Sequence, residues 1–346
     1  MSAVFVVPVG EAPSGGHVYD ERLAGALASA GRPLRTVAVP GGWPRPDAAA
    51  RARLDAVLAE LPDGSTVLLD GLVACGVPEV VVPHTGRLRT VVLVHLPLAD
   101  ETGLAPDAAR DLAEREGRVL RAAARVVATS AAAAADVAAR HGVHGVHAVP
   151  PGVDPAPPAR GTDGASHLLC VASLTPRKGH ETLLDALALV RGPAWSCECV
   201  GPLGAAGRVA ELRARAGSLP VRFVGARTGP DLRAAYDAAD LVVLPSRAET
   251  YGMVVTEALA RAVPVVATSV GGVPEALGRD PHGRRPGLLV PPQDPAALGD
   301  ALRRWLTDAS LRERLRDAAR LRRRNLAGWE EAARAMAAVL NREVAR

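Results

Sequence analysis

Glu249 and Glu257 stand with seven residues between them in a run that opens with Pro245-Ser246, passes Gly252 and closes on Ala260. An apolar stretch, residues 241–244, precedes the run and reads as a buried strand, while helix-compatible spacing follows Gly252. A strand, a polar loop with a glycine and then a helix bring backbone N–H groups and a positive dipole end toward an anion such as a phosphate. A carboxylate on either side of that loop can accept hydrogen bonds from sugar hydroxyls. Taken alone, Glu249 reads first as a solvated or capping residue ahead of a helix.

Other candidates share this position at the end of a strand. Arg177-Lys178-Gly179 follows the apolar run 167–171 and precedes a helical pattern, so Lys178 can bring a full positive charge to a diphosphate, although an exposed basic turn is common. Gly15-Gly16 follows the run 4–9, where paired glycines let backbone approach a ligand closely or simply make a turn. Gly271-Gly272, with Glu275 after them, follow the run 265–267 in the same way. His95 and Asp70 end the runs 90–94 and 67–69, where a ligand-facing role competes with a purely structural one.

The elements that must position these residues are legible as a rhythm. Continuous apolar runs at 4–9, 36–39, 67–69, 90–94, 126–128 and 146–149 are matched by a second set at 167–171, 197–200, 221–224, 241–244, 265–267 and 288–290. Runs without alternation belong to strands covered on both faces. Helical spacing of Ala and Leu separates them, for example at 16–30, 107–124, 181–190 and 231–237. Strand and helix alternate twice over, which predicts two doubly wound α/β domains. The expected division is 1–152 for the first, a Pro/Gly-rich linker at 153–165, and 166–328 for the second. Helical patterns at 296–308, 311–323 and 329–341 close the chain, the last opening with Trp329. That Trp either anchors its helix across the boundary between the domains or is ordinary core.

Composition excludes several classes. A chain of 346 residues with 48% hydrophobic side chains can bury two cores, yet aromatics are 3% and no stacking platform for nucleic acid is present. A net charge of +4 is mild, and the basic cluster at 320–324 reads as a solvated helix face. Cys75, Cys170, Cys197 and Cys199 lack zinc-ligand spacing and read as buried free thiols of a reducing cytosol. Neither a signal peptide nor a spanning apolar stretch is evident, so a cytoplasmic protein, at most peripheral to a membrane, is expected. The stretch from Gly10 does not fit the dinucleotide fingerprint, and no acidic residue ends the run 36–39, which disfavours a nicotinamide dehydrogenase.

The glutamate pair, Asp240 before its strand, Pro264-Val265-Val266, Gly271-Gly272 with Glu275, Lys178-Gly179 and Gly152-Val153-Asp154 together resemble glycosyltransferase family 4 from Val4 to Trp329. The resemblance implies the GT-B fold, two Rossmann-like parallel-sheet domains facing a central cleft, and a retaining, metal-independent transfer from a UDP- or GDP-sugar without a cofactor. It implies that Glu257 holds the ribose and Glu249 the transferred sugar, both with Lys178 and the amides of Thr250, Tyr251, Gly252, Met253 and Val254 around sugar and diphosphate. Gly15 and Gly16 would meet the diphosphate from the other domain, His95 with Asp70 would lie on the acceptor side, and Gly225, Ala226 and Arg227 would receive the base. The terminal helix, 329–346, would return to the first domain.

Ser173 stands where the family usually has a second cation, and Arg177 is the candidate to compensate for it. Ala262 stands where a helix end usually carries glycine, and Pro151 replaces a frequent Asn. The acceptor, small or lipid-linked, and the oligomeric state are left open. A non-catalytic nucleotide-sugar binder and an epimerase or phosphorylase of the same architecture are the rival readings.

Overall fold

The computed structural model describes residues 3–9, 14–204 and 206–341; the stretch 10–13 and the end of the expected terminal segment, 342–346, lie outside the described residues. The chain divides into two compact units, Met1–Gly152 with Ala327–Arg346, and Val153–Leu326.

In the first unit β1 (Val4–Pro8), β2 (Arg35–Val39), β3 (Thr66–Asp70), β4 (Arg89–Val94), β5 (Arg125–Ala128) and β6 (His147–Ala148) form one sheet in the order β2-β1-β3-β4-β5-β6. The second unit holds β7 (His167–Val171), β8 (Ser196–Val200), β9 (Val221–Gly225), β10 (Leu241–Leu244), β11 (Val265–Thr268) and β12 (Gly287–Val290), ordered β12-β11-β10-β7-β8-β9. Every pairing in both sheets is parallel. The unbroken Val and Leu runs explain this arrangement: Val67, Leu68 and Leu69 are all sealed from solvent, as are Leu241, Val242 and Val243. Both faces of each sheet are therefore covered by helices.

Sheet order fixes where a ligand can bind. In the second unit β8 and β9 extend from one side of β7 while β10 to β12 build on the other; in the first, β2 and β3 flank β1. Loops leaving β7 and β10, like those leaving β1 and β3, start from neighbouring strands whose connections run in opposite directions. Such reversals leave a crevice at the carboxyl ends of the strands.

Helices are specified locally and fastened by one apolar face. Pro295–Thr307 starts where the Asp294 carboxylate accepts from Ala297 N–H at 2.9 Å, with Pro295 at its first position. Leu298, Leu302, Trp305 and Leu306 recur at helical spacing and are buried, and the Trp305 indole donates to the Ala165 carbonyl at 2.8 Å. Residues 153–165 pack with the second unit. Asp240 accepts from the amides of Thr162, Gly164 and His167 and from the Thr162 hydroxyl, while Arg160 pairs with Asp237. The terminal helix Trp329–Asn341 lies against Gly15–Ser29 within the first unit. Trp329 meets the Tyr19 ring edge-on, centroids 5.7 Å apart, and Tyr19 donates to the Val149 carbonyl.

Candidate functional site

Lys178 and Glu249 come together where the loops after β7 and β10 meet. Pro176–Lys178 forms one tight turn, and Gly179 (φ +69°) lets the chain pass under the Pro245 carbonyl, where a Cβ would lie 2.1 Å away. Lys178 Nζ donates to Glu249 Oε1 at 2.5 Å, and the Ser246 hydroxyl donates to the same oxygen at 2.8 Å. Arg177 turns inward: its Nη1 lies 3.9 Å from Glu249 Oε2 and donates to the Ala248 carbonyl, while its Nε is buried with no hydrogen-bond partner among the described residues. Both cations are 18% exposed and the glutamate 8%, so the group is largely desolvated. In that setting the attraction of an ion pair is roughly offset by lost hydration, and the cluster is not a device for stability. Two cations against one carboxylate leave an excess of positive charge suited to an anion.

The neighbouring elements hold this loop in register. Gly271 (φ +44°) presses on the Glu249 carbonyl so closely that a Cβ would stand 1.8 Å from its oxygen, and Gly272 N–H donates to the same carbonyl. Their role is to support Glu249. The loop residues Thr250, Tyr251 and Gly252 lead into the helix Met253–Ala260, which includes Met253 and Val254 and whose N-cap, Gly252 (φ +92°), supplies no side-chain hydrogen bond. Burial pushes the Tyr251 phenol up to about 12, which keeps it protonated. Ser173 is half-buried in the loop after β7.

Glu257 lies on the inner part of that helix and is not bonded to Lys178, Arg177 or Glu249. Its Oε2 accepts from the Tyr236 hydroxyl at 2.6 Å. Arg227, expected near a base, is held by the buried Glu198 through contacts of 2.9 and 3.2 Å, and Arg222 reaches the same carboxylate at 3.1 Å. Gly225 and Ala226 lie just before Arg227 at the end of β9, and the Gly225 carbonyl accepts from Gly201 N–H.

In the first unit His95 and Asp70, at the ends of β4 and β3, join Asp20 from the helix Gly15–Ser29. His95 Nε2 is 2.8 Å from Asp20 Oδ1 and 3.9 Å from Asp70 Oδ2. Gly16 gives the imidazole room, since a Cβ there would approach His95 to 3.2 Å; Gly15 has nothing within 4 Å of a Cβ. Burial by itself would lower the His95 pKa, but the charge and hydrogen bond of Asp20, with Asp70 behind them, hold it up to about 9. Burial pushes Asp70 up to about 7 against the opposing pull of His95. The imidazolium is thus a charged group at neutral pH.

Among the described residues two groups have metal-ligating spacing, Asp20 with Asp70 and His95, and Cys170 with His180 and Cys199. In the first the proton on His95 offsets one carboxylate charge, that of Asp20 at 2.8 Å. In the second the thiols are fully buried: contact with Cys199, then burial, pushes Cys170 up, while Cys199 is pulled down by Cys170 but raised overall by Cys197 and burial, and Cys170 Sγ lies 3.8 Å from His180 Nε2. All four cysteines are free and buried.

Asp20, Tyr236 and Glu198 escaped the sequence reading, since each lies within a helix or strand rather than at a glycine-marked strand end. Ser246 stood in the motif without a role. The only signal for Asp20 was its spacing of four from Gly16, which puts both on one helix face.

Two cations and a carboxylate meet at the switch point of a parallel sheet, an arrangement that can hold an anion. Residues 5–157 match the Glycosyltransferase Family 4 model and residues 165–308 match Glycosyl transferases group 1. The chain belongs to glycosyltransferase family 4, with the GT-B fold. It is 32% identical over 280 residues to a D-inositol 3-phosphate glycosyltransferase of Pseudarthrobacter chlorophenolicus, covering 75% of this chain and 63% of the relative. The enzyme of the same name from Salinispora arenicola is 36% identical over 236 residues, 59% of this chain and 52% of the relative. The chain therefore spans roughly half to two thirds of the length of these two relatives. Among solved structures, sucrose-phosphate synthase of Thermosynechococcus elongatus aligns with a TM-score of 0.75 at 24% identity, covering 97% of each chain. Anabaena HepE in complex with UDP and glucose gives 0.75 at 18%, covering 98% of each. At these identities the likeness concerns the fold. No helix among the described residues is long and apolar enough to cross a membrane.

Proposed function

We propose that this chain is a retaining glycosyltransferase that moves a hexosyl group from a nucleoside-diphosphate sugar to an acceptor hydroxyl or amine. The observation that carries the reading is the junction of Lys178, Arg177 and Glu249 at the switch point between β7 and β10, beside an N-terminus of a helix that no side chain caps. Lys178, with Arg177 in place of the cation absent at Ser173, neutralises the diphosphate, and the amides of Thr250 to Val254 add to it. Glu249 accepts from sugar hydroxyls and Glu257 from the ribose. His95, held as an imidazolium by Asp20 and Asp70, serves the acceptor side.

In the reaction the bond from the anomeric carbon to the diphosphate oxygen breaks. The acceptor atom bonds to that carbon on the same face, and its proton passes to the departing phosphate oxygen. Charge stabilisation and positioning are the protein's contribution. The names of the HepE complexes, with UDP, and of the inositol 3-phosphate relatives support a UDP-sugar as the first donor and a polyol phosphate as the first acceptor to try. Lipid-linked acceptors, with peripheral membrane contact in a cytoplasmic setting, belong in the same panel.

The test incubates the protein with UDP-, GDP- and ADP-hexoses and an acceptor panel that includes D-inositol 3-phosphate, and reads the anomeric configuration of the product by NMR. Transfer with retention is expected. Inversion overturns the mechanism; tight donor binding without transfer or hydrolysis makes the protein a binder. A changed sugar from donor alone marks an epimerase, and phosphate-dependent reversal a phosphorylase.

A further inference from the structure

Glu257 is a half-buried carboxylate without a salt-bridge partner among the described residues, an expensive state for a charged group unless something holds and uses it. What holds it is Tyr236, on the helix Gly229–Ala238, whose hydroxyl donates to Oε2 at 2.6 Å. The bond is short and charge-assisted, and Tyr236 is 1% exposed, so the hydroxyl has no competing water. Burial, then the adjacent Glu257 charge, raises the phenol well above its ordinary value, so it remains a donor. Arg261 locks the ring from above: its guanidinium lies 4.6 Å from the Tyr236 centroid, and its Nη1 donates to the Glu257 carbonyl at 2.8 Å. The arginine that would neutralise Glu257 is thus spent on the ring and the backbone.

We infer that Tyr236, braced by Arg261, is a positioning residue that fixes the Glu257 carboxylate to receive the vicinal hydroxyls of a ribose. One carboxylate accepts from two adjacent hydroxyls only when its plane is set, because each oxygen must face one of them. Tyr236 takes one lone pair of Oε2 and sets that plane. Oε1 and the second lone pair of Oε2 remain to accept. The inference rests on the nucleotide-sugar reading above and adds the residue that makes Glu257 selective for an intact diol.

The experiment compares binding of UDP and GDP with that of their 2′,3′-dideoxy counterparts by calorimetry. The wild type is expected to prefer the ribose form, and Tyr236→Phe to lose about tenfold in affinity for it, the worth of one charge-assisted hydrogen bond. Affinity for the dideoxy form stays unchanged. Equal losses for both forms, or no loss for either, overturn the positioning role. If Tyr236→Phe does not fold, Arg261→Met probes the same brace, with a smaller loss again confined to the ribose form. The larger reading fails separately: a wild type that does not distinguish the two forms, or Glu257→Gln that distinguishes them as well as the wild type, removes the ribose from Glu257 whatever Tyr236 does.

Discussion

Among single residues, the proposed transfer leans most on Lys178. Among the described residues its ammonium is bonded to Glu249 alone and is backed by Arg177, so losing it subtracts charge from a desolvated cluster without opening a core cavity. Lys178→Met keeps the aliphatic stem and should lower transfer at least about a hundredfold, the scale seen when one preorganised charge is removed from a developing anion. Steady-state turnover with whichever donor of the panel is transferred checks this, and turnover within a factor of a few would place the diphosphate elsewhere. Glu249 shows how geometry revises a motif. The sequence suggested separate duties for lysine and glutamate, whereas the two side chains are bonded to each other. In the proposed reaction a bound donor would share or exchange that contact.

At the scale of elements, the site depends on loops that turn sharply at strand ends. Gly179 and Gly271 meet carbonyls at distances no Cβ survives, and both lie next to the Glu249 loop. The helix that follows this loop ends with a device of the opposite kind. Ala262 adopts φ +57° just beyond Met253–Ala260, where its amide donates to the Leu259 carbonyl and Val263 N–H returns to Ala258. A left-handed alanine costs about 1–2 kcal/mol, only partly offset by its lower entropy in the unfolded chain. Ala262→Gly should therefore raise stability by about 1 kcal/mol, seen as a higher urea midpoint at unchanged slope. An unchanged or lower midpoint would mean that the surrounding backbone has relaxed the strain.

At the scale of the whole molecule, each unit has its own sheet, core and titrating groups, and the first makes stability depend on pH. His95 is held at about 9 against 6.5, and Asp70 at about 7 against 3.8. Both bind protons more tightly when folded, so the folded state carries more protons and stability declines as pH rises. The His95 contribution is complete below 6.5 and lost through 9; that of Asp70 is complete below 3.8 and lost through 7. The melting temperature should thus fall steadily from pH 6 to pH 9. Asp70→Asn should flatten the lower part of that fall, and a melting temperature that rises over this range would contradict the charge state assigned to His95.

What repeats and what is local could be read along the chain before any fold was known. Unbroken apolar runs dictate covered parallel strands, and the glycines and polar residues at their ends mark the turns from which the candidate site is built. Lys178, Glu249, His95 and Asp70 were readable from such positions, and the strained Ala262 from the resemblance, which expects glycine at that helix end. Tertiary structure alone decided the pairings: Lys178 with Glu249, His95 with Asp20, Glu257 with Tyr236, Arg227 with Glu198. These partners are up to 75 residues apart and come from helices or strands whose pattern reports only burial. Periodicity encodes which face of an element is inward, but not which side chain of another element it meets there.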